Sequence, residues 1–326
     1  MYTHVVDPSE SAASFLNQLI DIQSGWQTPQ RQIFIWRGVG DFEKHTLVPS
    51  ALRPSNSDQL FQMASIRPDS IYFRLSEDLK QAYLEFRVVE RFLALADRAG
   101  LSFPELPYDI RDVFDDFGGE SRNTNFHKLL MSWPSKEVMP LVSLVQHYGL
   151  PTRALDWTYI PLTAAFFAAE SALKEMQSGR NANSVTNYLA VWCASCFDLC
   201  DTEIRDPNTN EVKLKVEVTA PPRYQNPNLN AQAGVFTWLS GPFGLKLEYA
   251  RTPLDQTVNT IRQRNARDAD RTVGTFMVHR LSWKHADELL TRLINLGVSR
   301  ASLQPGYEGI AQTVSMLSKL KWRPEV

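Results

Sequence analysis

Between Gln146 and Thr158 the chain sets six hydrogen-bonding or ionisable side chains, Gln146, His147, Thr152, Arg153, Asp156 and Thr158, among Gly149, Pro151 and Trp157. Pro161 follows, and a proline suits the first turn of a helix, so the cluster lies at a helix N-terminus. Polar groups on a stiff loop at such a terminus form a site for an anion or a polar ligand. A purely structural role competes with this one. In it Asp156 or Thr158 caps the helix, Arg153 pairs with Asp156, and His147 is a satisfied structural histidine. Six such groups in thirteen positions exceed what a cap requires. His147, oriented by Asp156, also has the makings of a hydrolytic base, although no Ser or Cys nucleophile motif accompanies it.

Two further segments carry chemistry. Arg37 follows Trp36 on a β-branched and aromatic run, and its planar fork of donors suits a pyrophosphate or a carboxylate; a buried ion pair is the alternative. Pro227–Thr237 brings an amide, Gln232, able to make paired hydrogen bonds to a ligand or simply to satisfy its own turn. The three cysteines, Cys193, Cys196 and Cys200, fall one ligand short of a tetrahedral zinc site, and Cys193 ends an apolar strand, so burial is the expectation and no metal is assigned. His285-x-x-Glu288 reads as an exposed helix face. Neither a Walker sequence nor G-x-G-x-x-G occurs.

The elements that hold these residues follow from periodicity. Ser9–Ile22 is a docking helix started by Asp7-Pro8-Ser9, and residues 32–38 are a strand that delivers Arg37 to the rim of a sheet. Asp78–Arg98 is an amphipathic helix with Leu79, Tyr83, Phe86, Val89 and Leu93 in one stripe. Leu101–Asn125, with Pro104, Pro107, Gly118-Gly119 and the acids Asp109, Asp112, Asp115, Asp116 and Glu120, reads as an irregular, solvated insertion lacking the order of a calcium loop. Helices over Val138–Tyr148 and from Pro161 bracket the polar stretch. Strands follow at Asn187–Cys193, Lys213–Thr219 and Gly274–His279, and a helix over Ser282–Leu296 ends at Gly297 before a terminal helix.

The 326 residues are 43% apolar and 21% charged, which excludes intrinsic disorder as the main state. Thirty-four basic against 36 acidic residues give a net charge of −2, so no global basic field draws the chain to nucleic acid or anionic lipid. The first residues lack the basic and apolar regions of a signal peptide, no run suits a membrane span, and a cytoplasmic protein is expected. The fold class expected is α+β: a single mixed domain with a small β-sheet core flanked by helices. It divides into an N-terminal docking helix (1–29), a main domain (30–315) and a C-terminal tail (316–326). A helical insertion occupies about 60–140 of the main domain.

Arg37-Gly38 after Phe34, the stretch Gln146-His147-Tyr148-Gly149-Leu150-Pro151-Thr152-Arg153-Ala154-Leu155-Asp156-Trp157-Thr158 with Pro161 and Ala164, and Gln232-x-Gly234-x-Phe236 together resemble the FRG domain family. Trp36 replaces the aromatic of the Phe-Arg-Gly tripeptide and Ala154 a usual leucine. Gly297-Val298 and Gln304-Pro305-Gly306-Tyr307-Glu308-Gly309 look like the family's C-terminal segment, so the resemblance spans residues 30–315. In order and character, an Arg on an early strand, a Ser/Thr loop running into an Ala/Phe-rich helix and a later Gln-x-Gly-x-Phe segment are also similar to the elements of ADP-ribosyltransferases.

That second resemblance implies an ADP-ribosyltransferase-like fold and NAD as substrate, used by a transferase or an NAD glycohydrolase. Arg37, beside Gly38, would clamp the pyrophosphate, and Thr152 or Thr158 would orient a ribose. His147, Tyr148 or Trp157 would line the nicotinamide pocket, with Arg153 and Asp156 as further cofactor contacts. Gln232 falls where a carboxylate would hold the ribose 2′-hydroxyl and steady a cationic transition state. An amide holds the hydroxyl without supplying charge, so transfer requires Glu85, Asp156 or another acid to converge. The resemblance further implies a bacterial toxin or anti-phage defence effector, a protein or nucleic-acid acceptor, and a neutralising partner protein. The competing expectation is a non-catalytic nucleotide- or nucleic-acid-binding module. In that module Arg37, Arg153, Arg262, Arg264, Arg267 and Arg271 track phosphates, although the last four alternate with Asp255, Asp268 and Asp270 as a solvated helix face does.

Overall fold

The computed structural model describes residues 3–25, 33–115, 124–179, 187–206, 208–221, 227–241, 246–264 and 276–320. Eight strands form one sheet: β1 Thr3–Val5, β2 Phe34–Val39, β3 Leu155–Thr158, β4 Tyr188–Ser195, β5 Glu203–Arg205, β6 Val212–Thr219, β7 Gly234–Ser240 and β8 Phe276–Ser282. Their order is β1-β8-β4-β2-β3-β7-β6-β5. β1 runs parallel to β8 and the other neighbours are antiparallel. The α+β expectation holds, with a broader sheet than the small core expected. No helix among the described residues is long and apolar enough to cross a membrane.

Alternation along the central strands sorts their side chains onto two faces. Trp36, Leu189, Val191, Cys193 and Leu281 meet the helices Ala12–Ser24, Pro161–Gln177 and Ala286–Asn295 on one face. On the other, Ile35, Ala190, Trp192 and Val278 meet Leu47, Leu254, Val258 and Ile261. A third cluster joins the Glu77–Arg98 helix to Thr124–Met131 and Met139–His147, and reaches the sheet through Phe236 and Trp238 of β7. The Pro161–Gln177 helix lies so close to β2 that a Cβ on Gly38 would stand 1.9 Å from the Ala164 carbonyl oxygen. Only glycine allows that approach.

Several local expectations change. The first helix is capped by Ser11, whose hydroxyl accepts from Ser14 N at 3.1 Å, and not from Asp7–Ser9, because residues 3–5 are already extended in β1. Arg37 does not emerge at the C-terminal rim of its strand: it lies within β2, with Gly38 and Val39 beyond it still paired to β4, and β2 is itself fourth in the sheet. Leu155–Thr158 is a strand instead of a loop, because Leu155 and Trp157 alternate into the core and pair with β7. Within the expected solvated insertion, Tyr108–Asp115 is helical, and Val113 and Phe114 are buried with Phe103 and Leu106 against them. Asp109 and Asp112 do face solvent, while Asp116, Gly118, Gly119 and Glu120 lie outside the described residues.

Candidate functional site

Helix Met139–His147 ends at Tyr148, and Gly149, at φ +83°, turns the chain with the left-handed geometry that glycine tolerates. Pro151 then leads into Thr152, whose N–H donates to Ser50 Oγ at 3.1 Å and whose carbonyl accepts from Ala51 N at 3.0 Å. The loop is thereby pinned at its middle. Beyond it, successive residues turn to opposite sides.

Arg153 turns inward. Its Nε donates to Glu85 Oε2 at 2.6 Å, Nη2 to Oε1 at 3.0 Å and Nη1 to the Trp133 carbonyl at 3.0 Å, with both side chains of the ion pair 3% exposed. Trp133 Nε1 and Gln81 Nε2 complete the Glu85 carboxylate at 3.1 and 2.9 Å. Arg153 therefore pairs with Glu85 and not Asp156, and neither Arg153 nor Glu85 borders the cleft described below.

Asp156 turns outward. Arg37 Nη1 lies 2.5 Å from its Oδ1 and donates to its carbonyl oxygen at 2.6 Å, while Gln146 Nε2 donates to Oδ1 at 3.0 Å. Gln146 is oriented in turn by Thr152 Oγ1, which donates to its Oε1. The protein walls around Asp156 desolvate it and push its pKa upward. Arg37's charge and hydrogen bond, aided by Gln146, outweigh this and hold the carboxyl below its ordinary range. Burial pushes His147 below its ordinary value, with the Asp156 charge opposing, so the imidazole is neutral at pH 7.

Arg37, Gln146, His147, Asp156 and Thr158 border one cleft of about 770 Å³, closed on other sides by Phe167, Asn228, Gln232, Arg300, Gln304 and Glu308. This volume is ordinary for a small-molecule site. Thr158 Oγ1 donates to the Gln232 carbonyl at 2.7 Å and accepts from Ile160 N at 3.0 Å, so it closes a local turn ahead of the helix, whose N-cap, Ile160, has no side-chain capping bond. Gln232 Nε2 donates to the Leu303 carbonyl at 3.1 Å, tying its segment to the C-terminal one. Tyr148 stands exposed at the lip beside Phe92, its ring edge-on to His147. Trp157 borders the cleft, but its indole is buried and donates to Thr237 Oγ1 at 2.8 Å. Thr152 is buried beneath the cleft and acts through Gln146.

Arg300, Gln304 and Glu308 are the residues that sequence reasoning left without a role. Their signal is the Gln304–Gly309 stretch. Gly306 sits at φ +131°, and a Cβ on Gly309 would stand 2.0 Å from the Gln304 carbonyl, so two glycines fold the turn that presents Glu308. Arg300 pairs with Glu170 through Nε and Nη2 and lies 5.3 Å over the Phe167 ring.

The remaining candidates lie elsewhere. Cys193 is buried on β4, and burial pushes the Cys196 thiol up to about 12, which leaves it protonated and a poor metal ligand at neutral pH. Among the described residues no group of three His, Cys, Asp or Glu side chains is arranged to hold a metal. Arg262 pairs with Asp198 at 3.1 Å, and Asp255 is half-buried instead of solvated because Val258 and Ile261 draw their helix onto the sheet. The side chain of Arg264, and Arg267, Asp268, Asp270 and Arg271, lie outside the described residues. His285 and Glu288 face each other at 3.6 Å, both half-buried instead of exposed, since the Trp283–His285 turn folds onto the core through Trp283.

No curated protein and no solved structure matches the chain. A family comparison does give a match. It takes in β2 with Arg37, the pinned loop, β3 with Asp156 and the helix that packs on Gly38, and stops short of Gln232 and the Gln304–Gly309 turn. Residues 32–177 are thus similar to the FRG domain family.

Proposed function

We propose that the cleft binds NAD and cleaves the bond between nicotinamide and ribose, as an ADP-ribosyltransferase or an NAD glycohydrolase. The observation that carries this reading is the convergence of Arg37, Gln232 and two carboxylates, Asp156 and Glu308, on one cleft. In the reaction the C1′–N bond breaks and its electron pair leaves with neutral nicotinamide. The cationic C1′ left behind is stabilised by a fixed negative charge nearby. An oxygen of water, or of a protein or nucleic-acid acceptor, then bonds to C1′ and gives up its proton.

Arg37 reaches the pyrophosphate with the donors not committed to Asp156; among the described residues its buried Nε has no hydrogen-bond partner. Gln232 holds a ribose hydroxyl. Asp156 shares its charge with Arg37, so Glu308, whose Oε1 accepts from the neutral Gln312 amide at 3.1 Å, takes the proton from the incoming oxygen. In the binding-module alternative Arg37 would meet phosphate, while Arg153 and Arg262 are engaged by Glu85 and Asp198.

The test is nicotinamide release from NAD by the purified chain beside Arg37→Ala. Release by wild type and none by the variant is expected. Full activity in Arg37→Ala, or no release by wild type, overturns the assignment.

A further inference from the structure

The cleft has a neighbour. A second cavity of about 420 Å³ lies between the Pro161–Gln177 helix and the Tyr307–Leu317 helix, and shares Arg300 and Gln304 with the cleft. Leu173 and Met316 give it apolar surface, and two carboxamide residues, Gln304 and Gln312, lie at its border. Gln312 also donates to Glu308 of the cleft, so the partition between the two spaces consists in part of polar side chains.

We infer that this second cavity is a purine subsite, taking the adenine end of the dinucleotide whose nicotinamide end occupies the cleft; the inference rests on the NAD reading above. A purine presents two apolar faces and an edge carrying both donors and acceptors. Leu and Met side chains supply surface for the faces. Carboxamides, which donate and accept, match the edge in a way that a carboxylate or an ammonium cannot. Arg300 stands at the junction, where the pyrophosphate linking the two halves must pass. Nε and Nη2 are engaged by Glu170 and the guanidinium plane lies over Phe167, while Nη1 takes no part in that pair. Lys174 and Lys319 lie along the same cavity against Glu170 and Asp287, giving with Arg300 a local excess of one positive charge (three cations against two acids).

The experiment measures AMP and nicotinamide mononucleotide binding by calorimetry, and NAD turnover, for the full chain and for Ser315→Trp. Ser315 borders the cavity and is exposed, so an indole there fills the space from its mouth without displacing the core. Ser318→Trp, on an exposed position off the cavity, is the control. AMP is expected to bind wild type and the control, and to bind Ser315→Trp about tenfold or more weakly. Nicotinamide mononucleotide binding is expected unchanged, and the KM for NAD to rise with kcat retained. Should Ser315→Trp fail to fold, Gln312→Ala removes the border amide and carries the same expectation for AMP. No AMP binding by wild type, or equal binding by Ser315→Trp, overturns the subsite, even where NAD is cleaved. AMP binding lost in Ser315→Trp, in a chain that never releases nicotinamide, upholds the subsite and overturns the NAD reading instead.

Discussion

Arg37–Asp156 and Arg153–Glu85 look alike on paper and do different work, because their surroundings differ. Arg153 and Glu85 are both 3% exposed, and removing one leaves the other charged and desolvated. Glu85→Ala is expected to cost about 3–5 kcal/mol of stability, read from the midpoint of urea unfolding. The Arg37 pair opens to the cleft, with side chains 12% and 61% exposed, so its loss costs about 1 kcal/mol or less. Asp156→Asn therefore remains folded, with an unfolding midpoint near wild type. Nicotinamide release is expected to fall about 100-fold or more once the fixed charge is gone; an unchanged rate removes Asp156 from the chemistry. The depressed pKa of Asp156 also fixes a sign. Its stabilising share is complete above the unfolded carboxyl value and is lost as pH falls through the lower folded one, so it contributes no slope at neutral pH.

At the scale of elements, the site depends on how closely the Pro161–Gln177 helix lies on β2. In Gly38→Ala the new methyl meets the Ala164 carbonyl, and the helix must shift or the strand bend. Overpacking of this kind costs about 1–3 kcal/mol or more. Because Arg37 is the neighbouring residue, Gly38→Ala is expected to lower both the melting temperature and nicotinamide release, whereas Arg37→Ala lowers mainly the second. A Gly38→Ala protein with wild-type stability would show that the helix is free to move. The strong amphipathic helices at 77–98 and 161–177 were legible from spacing, as was the strand carrying Arg37. β3 was not, since four residues inside a Pro- and Gly-flanked stretch declare themselves a strand only by pairing with β7.

At the scale of the molecule, one sheet draws strands from Thr3 to Ser282, so local and distant segments share stability. His279 on β8 illustrates this. It is 4% exposed, its Nδ1 lies 3.3 Å from Gln18 Oε1 of the first helix, and burial, with the nearby His4, lowers its pKa to about 4. An unfolded histidine binds its proton near pH 6.5. Between that value and pH 4 the unfolded chain holds the extra proton, so stability falls as pH falls, by on the order of 2–3 kcal/mol at the acid end. Melting temperature measured across that window is expected to decline in wild type and to flatten in His279→Gln. An equal decline in both proteins assigns the acid sensitivity to other groups.

Residue order alone determined that the chain turns at Gly149–Pro151, because glycine admits the left-handed backbone and proline fixes its own φ whatever surrounds them. It likewise marked Arg37 and Gln232 as side chains of interest. Which of the polar groups meet was decided by tertiary structure. Arg153 and Asp156 sit three residues apart, yet one is claimed by Glu85 from a helix some seventy residues earlier in the chain and the other by Arg37 from the neighbouring strand. Glu308 joins them only because β7, the Gln232 amide and a two-glycine turn bring the C-terminal segment to the same cleft. Backbone preference acts over a few residues and can be read from them; the partner of a charge depends on which distant surfaces pack together, and hydrophobic burial sets that for the chain as a whole.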